Sequence, residues 1–335
     1  MPMGPHTFFC RVGSVFRTRA AVLAVAIGLV AAPLVAAKSP GESASLRTTV
    51  ALQIALDRSG FSPGLIDGIF GGKTTASLRE FQRSRGMPAT GNLDAATRAA
   101  LRVDEEDAFL RYTVTSADRA AVGPLPKGWI EKSQLDRLPY PSLLEALCEK
   151  FHCSQGLLAK LNPARNLAAI AVGDTLIVPN ADEDPPITRA ARLEVDLGNK
   201  VIRAYSSRGD MVALFYCSLA ARKEKLPSGQ AEVVAVAVNP TYTFDPQMWP
   251  EVKGVDTKLT IPPGPRNPVG VRWIGLSLPG VGMHGTPNPE LIGKTGSHGC
   301  IRLTNWDAVR LSRMVSTGTP VKFVNPGVRL AEAPR

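Results

Sequence analysis

Residues 284–302 hold one cysteine and two histidines among glycines: His284-Gly285-Thr286-Pro287, then Ile292-Gly293, then Ser297-His298-Gly299-Cys300-Ile301-Arg302. A thiol is a strong nucleophile only as its thiolate. A histidine within hydrogen-bond reach removes the proton or holds the ion pair. Any fold that uses this block must bring Cys300 to one of these histidines. Gly299 leaves the backbone before Cys300 bare and free to turn. If residues 298–300 are extended, His298 and Cys300 point to one face. His284 would then come from a neighbouring strand. Spacing alone does not choose between the two histidines as base. A Cys/His zinc site lacks a fourth ligand here, and no C-x-x-C pair occurs in the chain.

The surrounding residues, 187–326, carry strand periodicity. Leu193, Val195 and Leu197 alternate up to Gly198-Asn199, and Val201, Arg203 and Tyr205 alternate up to Gly209-Asp210. Val212–Cys217 and Val233–Val238 are further β-rich runs, and the turn spacing predicts a mainly antiparallel β domain. Cys217 falls in an apolar strand and reads as a core residue. Thr304-x-x-Asp307 is a capping pattern with Asp in the usual Glu or Gln place. It predicts a helix with Ala308, Leu311 and Val315 inward, ended by Gly318, and makes Asn305 and Asp307 structural. Val321–Val324 reads as a last strand.

The rest of the 335 residues leaves room for two further domains. With 44 % hydrophobic and 20 % charged residues the chain is not disordered throughout. Five cysteines are too few for a disulfide scaffold, and no phosphate-cradling glycine motif occurs. Residues 1–37 read as a secretory signal: Arg11, Arg17 and Arg19 without acids, an apolar run from Ala20 to Ala37, and Val35-Ala36-Ala37 at the cleavage point. The protein is therefore expected outside the cytoplasm, in periplasm or cell wall, or tethered to the membrane if the signal is not cleaved. Removing the segment leaves 36 basic against 29 acidic residues, +7, which suits either solubility alone or an acidic envelope polymer rather than nucleic acid.

Residues 40–45 form a polar linker. Residues 46–102 read as three helices. The first runs from about Thr48 to Ser59 and the second from about Lys73 to Arg85. The third is capped by Asp94, with Leu93 as a hydrophobic staple. Residues 109–181 read as strand, helix, helix, strand: Tyr112–Thr115, Ser142–Phe151, a helix capped by Ser154, and Gly173–Pro179. About 25 residues rich in Pro and Gly lie between the first strand and the first helix. Cys148 and Cys153 can bridge only if the helix ends near Phe151, so a disulfide and two buried thiols both stay open. His152 between them reads as a lone packed or exposed histidine rather than a metal ligand.

Three resemblances follow from these residues. Leu65-Ile66-Asp67-Gly68-Ile69-Phe70-Gly71, Thr74, Phe81-Gln82 and Gly91-Asn92-Leu93-Asp94-Ala95-Ala96-Thr97 resemble the bacterial peptidoglycan-binding-1 family. The β-α-α-β order of 109–181 resembles the LysM glycan-binding fold, interrupted by the insertion. Residues 190–325 resemble the L,D-transpeptidase (YkuD) catalytic domain. That likeness rests on Pro227-Ser228-Gly229, Pro240-Thr241-Tyr242, Gly264-Pro265-Arg266-Asn267-Pro268-Val269-Gly270 and the His284–Arg302 block. The fold class implied is multidomain α+β: a helical peptidoglycan-binding unit, a LysM-like segment and a mainly β catalytic domain.

The catalytic likeness implies Cys300 as nucleophile and His284 as proton carrier, oriented by a carbonyl near Gly285. It implies that His298 shapes the site, that Gly299 with Cys300 lines the oxyanion hole, and that Ser297 and Arg302 support the loop or hold a substrate carboxylate. The implied reaction is 3→3 cross-linking of peptidoglycan tetrapeptide stems through a thioester, with no metal or organic cofactor. Water or an envelope-protein lysine as acceptor, and a non-catalytic wall-binding protein, remain open, as does the oligomeric state.

Overall fold

The computed structural model describes residues 45–181, 187–249, 251–297 and 299–325. The expected signal segment and His298 lie outside the described residues.

The first helices are α1 Leu46–Arg58, α2 Gly72–Ser84 and α3 Ala95–Leu101. Ser45 caps α1, and Asp94 caps α3 by accepting from the Thr97 N–H at 2.7 Å. Leu93 packs against the cluster beneath it, as a staple should. Two buried glutamines organise the turns between helices. Gln53 accepts from the Asp67 and Gly68 N–H groups (3.1 and 2.9 Å) and donates to Asp67 Oδ1 (2.8 Å). Gln82 accepts from the Gly91 N–H (2.8 Å) and donates to the Asn92 carbonyl (3.0 Å). A buried amide satisfies several loop donors and acceptors at once. The residues that carry the family likeness here are thus largely scaffold.

The middle segment comprises β1 Phe109–Thr113, α4 Ser116–Ala120, α5 Trp129–Ser133, α6 Leu143–Lys150, α7 Gln155–Leu161 and β2 Thr175–Pro179. β1 and β2 pair antiparallel, with Phe109 opposite Pro179. Buried Asn162 ties α7 to β2, donating to the Leu158 and Ile177 carbonyls and accepting from the Ile177 N–H. α6 stops at Lys150, and His152 takes φ +52° to reverse the chain. Cys148 and Cys153 are both buried, unbridged thiols. His152 is packed: its Nδ1 lies 3.0 Å from Asp57 Oδ2 and its ring stacks on Trp306 at 4.9 Å. The insertion before α6 is a structured wall. Its Leu138 and Trp129 form a core with Phe244 and Ile261 of the C-terminal region, Trp129 stacking on Phe244 at 4.3 Å.

The C-terminal region holds β3 Arg192–Asp196, β4 Val201–Tyr205, β5 Met211–Tyr216, β6 Gln230–Val238, β7 Tyr242–Phe244, β8 Leu259–Ile261, β9 Arg272–Leu276, β10 Gly282–His284, β11 Ile301–Arg302, α8 Asn305–Met314 and β12 Pro320–Val324. Eight strands form one sheet in the order β11-β10-β9-β6-β12-β3-β4-β5. β7 and β8 make a separate hairpin. The segment after β5 bridges back to β11, Ser218 pairing with Arg302, so the sheet curls until its ends meet. Thr304 caps α8 by accepting from the Asp307 N–H, and Ala308, Leu311 and Val315 face the sheet core as expected. The helix ends at Met314 rather than Gly318, because Val315 is already extended. Asp307 does not return the capping bond; its Oδ2 accepts from Ser62 Oγ at 2.9 Å.

The pleat of β5 explains how the regions join. Ala213, Phe215 and Cys217 face the sheet core. Leu214 and Tyr216 face the other way and share a core with Leu52, Phe61, Leu78 and Phe81 of the helical unit. Arg203 of β4 pairs with Glu80 of α2 at 2.9 Å, and Lys73 Nζ donates to the Ile292 carbonyl at 2.8 Å. The alternation of Val201, Arg203 and Tyr205 therefore marks a second buried face. The helical unit is fused to the sheet and is not a bead on a linker.

Asp307 gives a stability prediction at this junction. Burial, and then the charge of Asp57, push its carboxyl from 3.8 up to about 6. A raised carboxyl favours the protonated form on folding, so the penalty is absent below about pH 4 and grows through pH 6. Asp307→Asn is expected to raise stability at pH 8 by up to about 3 kcal/mol and to change nothing at pH 4. Urea melts at the two pH values check this.

Candidate active site

His284 closes β10 between two partners. Trp273 of antiparallel β9 lies opposite it, and so does Arg302 of parallel β11. In the same register Met283 faces Ile301, and both are fully buried in the core. Side chains alternate along strands, so His284 and Arg302 share the opposite face. Cys300 immediately precedes β11, and the Gly282 backbone reaches its sulfur. A Cβ on Gly282 would run into the Trp273 ring, which stacks on His284 at 5.7 Å. Glycine there is what lets the indole lie against the imidazole. His284, Cys300 and Arg302 line one cavity of about 660 Å³, walled by Tyr242, Trp249 and Trp273.

His284 Nδ1 lies 2.6 Å from the Gly285 carbonyl oxygen. A carbonyl only accepts, so Nδ1 carries the proton and Nε2 is left as the basic nitrogen. Burial, helped by Arg302, holds the imidazole down at about 4, against the pull of the Gly285 bond. Burial also pushes the Cys300 thiol above its usual value, though the Gly282 backbone and Arg302 oppose this. The pair therefore rests as neutral thiol and neutral imidazole at pH 7.

The loop before Cys300 is folded by its own side chains. Ser297 Oγ donates to the Cys300 carbonyl and accepts from the Gly299 N–H at 3.2 Å. Residues 299–300 consequently lie in a bend, and the strand begins only at Ile301. The condition of an extended run is therefore not met at Gly299 and Cys300. The Gly299 N–H, offered above as an oxyanion donor, is directed at Ser297 in this structure. Arg302 donates to the Gly296 carbonyl, which fits loop support. Among the described residues no cluster of three His, Cys, Asp or Glu side chains suited to a metal is found.

Sequence reasoning missed the clamp behind this loop. Ser218 exchanges two backbone bonds with Arg302 (2.8 and 2.9 Å), Ser297 N–H donates to the Leu219 carbonyl (2.7 Å), and Ala221 N–H donates to the Ser297 carbonyl (2.9 Å). These bonds use backbone groups, so side-chain identity carried no signal. Trp249 and Met248 of the cavity were also missed, whereas Tyr242 lay in a quoted motif.

Residues 190–323 match the family model described as the L,D-transpeptidase catalytic domain, and residues 48–101 match a putative peptidoglycan binding domain. The chain carries an L,D-transpeptidase catalytic domain. Relatives agree. "Putative L,D-transpeptidase YkuD" of Bacillus licheniformis is 28 % identical over 180 residues, 54 % of this chain and 92 % of that one. Its Bacillus subtilis namesake is 25 % identical over 178 residues, covering 53 % and 91 %. "Putative L,D-transpeptidase YqjB" of Bacillus subtilis is 33 % identical over 139 residues, 40 % of this chain and 65 % of that one. An L,D-transpeptidase domain makes the chain a cysteine-dependent acyltransferase, joined to a peptidoglycan-binding domain.

Proposed function

We propose that the protein forms 3→3 cross-links in peptidoglycan outside the cytoplasm, with Cys300 as nucleophile and His284 as base. The observation that carries this is a buried imidazole whose Nδ1 is spent on a carbonyl, in one cavity with a half-buried thiol. His284 Nε2 takes the thiol proton as sulfur bonds to the carbonyl at the L-centre of a diaminoacyl residue in a tetrapeptide stem. The terminal D-Ala leaves with that proton on its amine. A side-chain amine of a second stem then attacks the thioester, and the thiolate departs and regains a proton. Backbone N–H groups around Cys300 would stabilise the oxyanion. Ser297 and Arg302 hold the loop. The helical domain and the middle segment hold the enzyme on insoluble wall, which raises the effective substrate concentration.

The test is mass spectrometry of disaccharide-tetrapeptide incubated with the full chain and with Cys300→Ala. A Cys300-dependent dimer lacking one D-Ala supports the reading. Cys300-dependent tripeptide without dimer makes water the acceptor. No product, with sacculus sedimentation retained, makes the protein a wall binder.

The resting protonation state adds a second check. Alkylation of Cys300 by iodoacetamide is expected to climb steadily from pH 6 to pH 9. A preformed thiolate–imidazolium pair would instead give a plateau from about pH 5. That plateau would overturn the general-base assignment.

A further inference from the structure

We propose that Glu149, on helix α6 of the middle segment, is a positioning residue for His284, acting through Asn305 and the Gly285 peptide. This rests on the assignment of His284 as base.

The path runs from Glu149 through Asn305 and Gly285 to His284. Glu149 Oε1 accepts from Asn305 Nδ2 at 2.7 Å. Asn305 Oδ1 accepts from the Val271 N–H at 3.2 Å. The same oxygen packs onto two glycines: a Cβ on either Gly270 or Gly285 would overlap it. The Gly285 carbonyl then accepts the 2.6 Å bond from His284 Nδ1. Oε1 is the acceptor in this bond, so it favours the orientation in which the Asn305 NH2 faces Glu149 and the amide oxygen faces Val271. With Glu149 removed, Asn305 Nδ2 keeps only its longer bond to the Pro265 carbonyl at 3.3 Å, so the amide is held less tightly. The surface under the Gly285 peptide would loosen, and with it the carbonyl that anchors the His284 ring.

Two further contacts from the same segment converge on this loop. Glu145, one turn earlier on α6, pairs with Arg266 at 3.0 Å, and Arg266 donates to the Pro287 carbonyl at 2.5 Å. Leu138 N–H donates to the Pro263 carbonyl at 2.8 Å. The middle segment thus grips the 263–270 and 284–287 loops from one side. Glu149 is itself half-buried. Burial pushes its carboxyl up to about 7, against hydrogen bonds from Asn305 and Tyr140.

The test uses the full chain labelled with 15N-histidine, the His284 signals assigned by loss in His284→Asn. Glu149→Ala is expected to shift or broaden the His284 Nδ1–H and Nε2 resonances, and to lower kcat on disaccharide-tetrapeptide about tenfold with KM within twofold. Glu149→Gln keeps an oxygen acceptor for Asn305 and is expected to restore both, to within about threefold of wild type. Val178→Ala, a cavity in the middle segment's core away from Asn305, is expected to lower Tm and leave the His284 signals in place. Unchanged His284 resonances in Glu149→Ala overturn the inference, as does an equal change in Val178→Ala. A wild-type chain that fails to turn over the muropeptide overturns the proposed function instead, while the resonances still decide the role of Glu149.

Discussion

Cys300→Ala is expected to lower dimer formation from disaccharide-tetrapeptide by about 10⁴-fold or more, the scale of losing a covalent nucleophile. Nothing nearby substitutes for it. The other described cysteines, Cys148, Cys153 and Cys217, are buried. Burial pushes the Cys217 thiol far above its usual value, so it stays protonated in the core. Substrate affinity should survive the change, because the cavity walls of Tyr242, Trp249 and Trp273 are untouched. Intact-mass spectrometry of the wild type with substrate should show an adduct that the variant lacks. Turnover by Cys300→Ala within tenfold of wild type would remove Cys300 from the mechanism.

The second large effect concerns the helical domain. Phe81→Ala is expected to destabilise the whole described body by about 3–5 kcal/mol, lowering Tm by roughly 6–15 °C. Phe81 is fully buried, meets Phe61 edge-on at 5.4 Å, and shares its core with Leu214 and Tyr216 of the sheet. A module on a flexible tether would unfold alone and leave the catalytic domain's transition unmoved. Here a single transition should shift, by calorimetry and by intrinsic fluorescence alike. Deleting residues 45–102 should give insoluble protein for the same reason. It would bare Leu214 and Tyr216, leave Arg203 without Glu80, and take Ser62 and Asp57 from Asp307 and Arg310. Loss of wall turnover after such a deletion would therefore report unfolding as well as detachment. A separate, lower transition for the helices, with the sheet's unchanged, would refute the fusion.

Much of this protein was legible in the sequence because much of it is local. Asp94, Ser154 and Thr304, read as caps, each accept from the N–H three residues on, and Ser45 and Ser142, not read as caps, do the same. Strand alternation around Leu193, Val195 and Phe215 reports a face that is buried wherever the strand goes. The Cys300 block is dense in groups that have one shared use. The pairing strands of the middle segment and its helices α6 and α7 were also readable, whereas α4 and α5 between β1 and α6 were not.

Tertiary structure decided what those pieces do to one another. Alternation could not say that the far face of β4 and β5 would be covered by α1 and α2, because period two marks faces and not partners. The choice of His284 nitrogen came from one carbonyl set by the β10 turn. The insertion before α6 looked like an interruption of a small fold, and packing made it a wall of the catalytic region. Glu149, Arg266 and Asn305 meet across long stretches of chain, and no local pattern encodes such a meeting. The sequence by itself determined the elements and the reactive group. Closure of the sheet and the docking of two preceding segments onto it determined how that group is held, since those are contacts between distant residues.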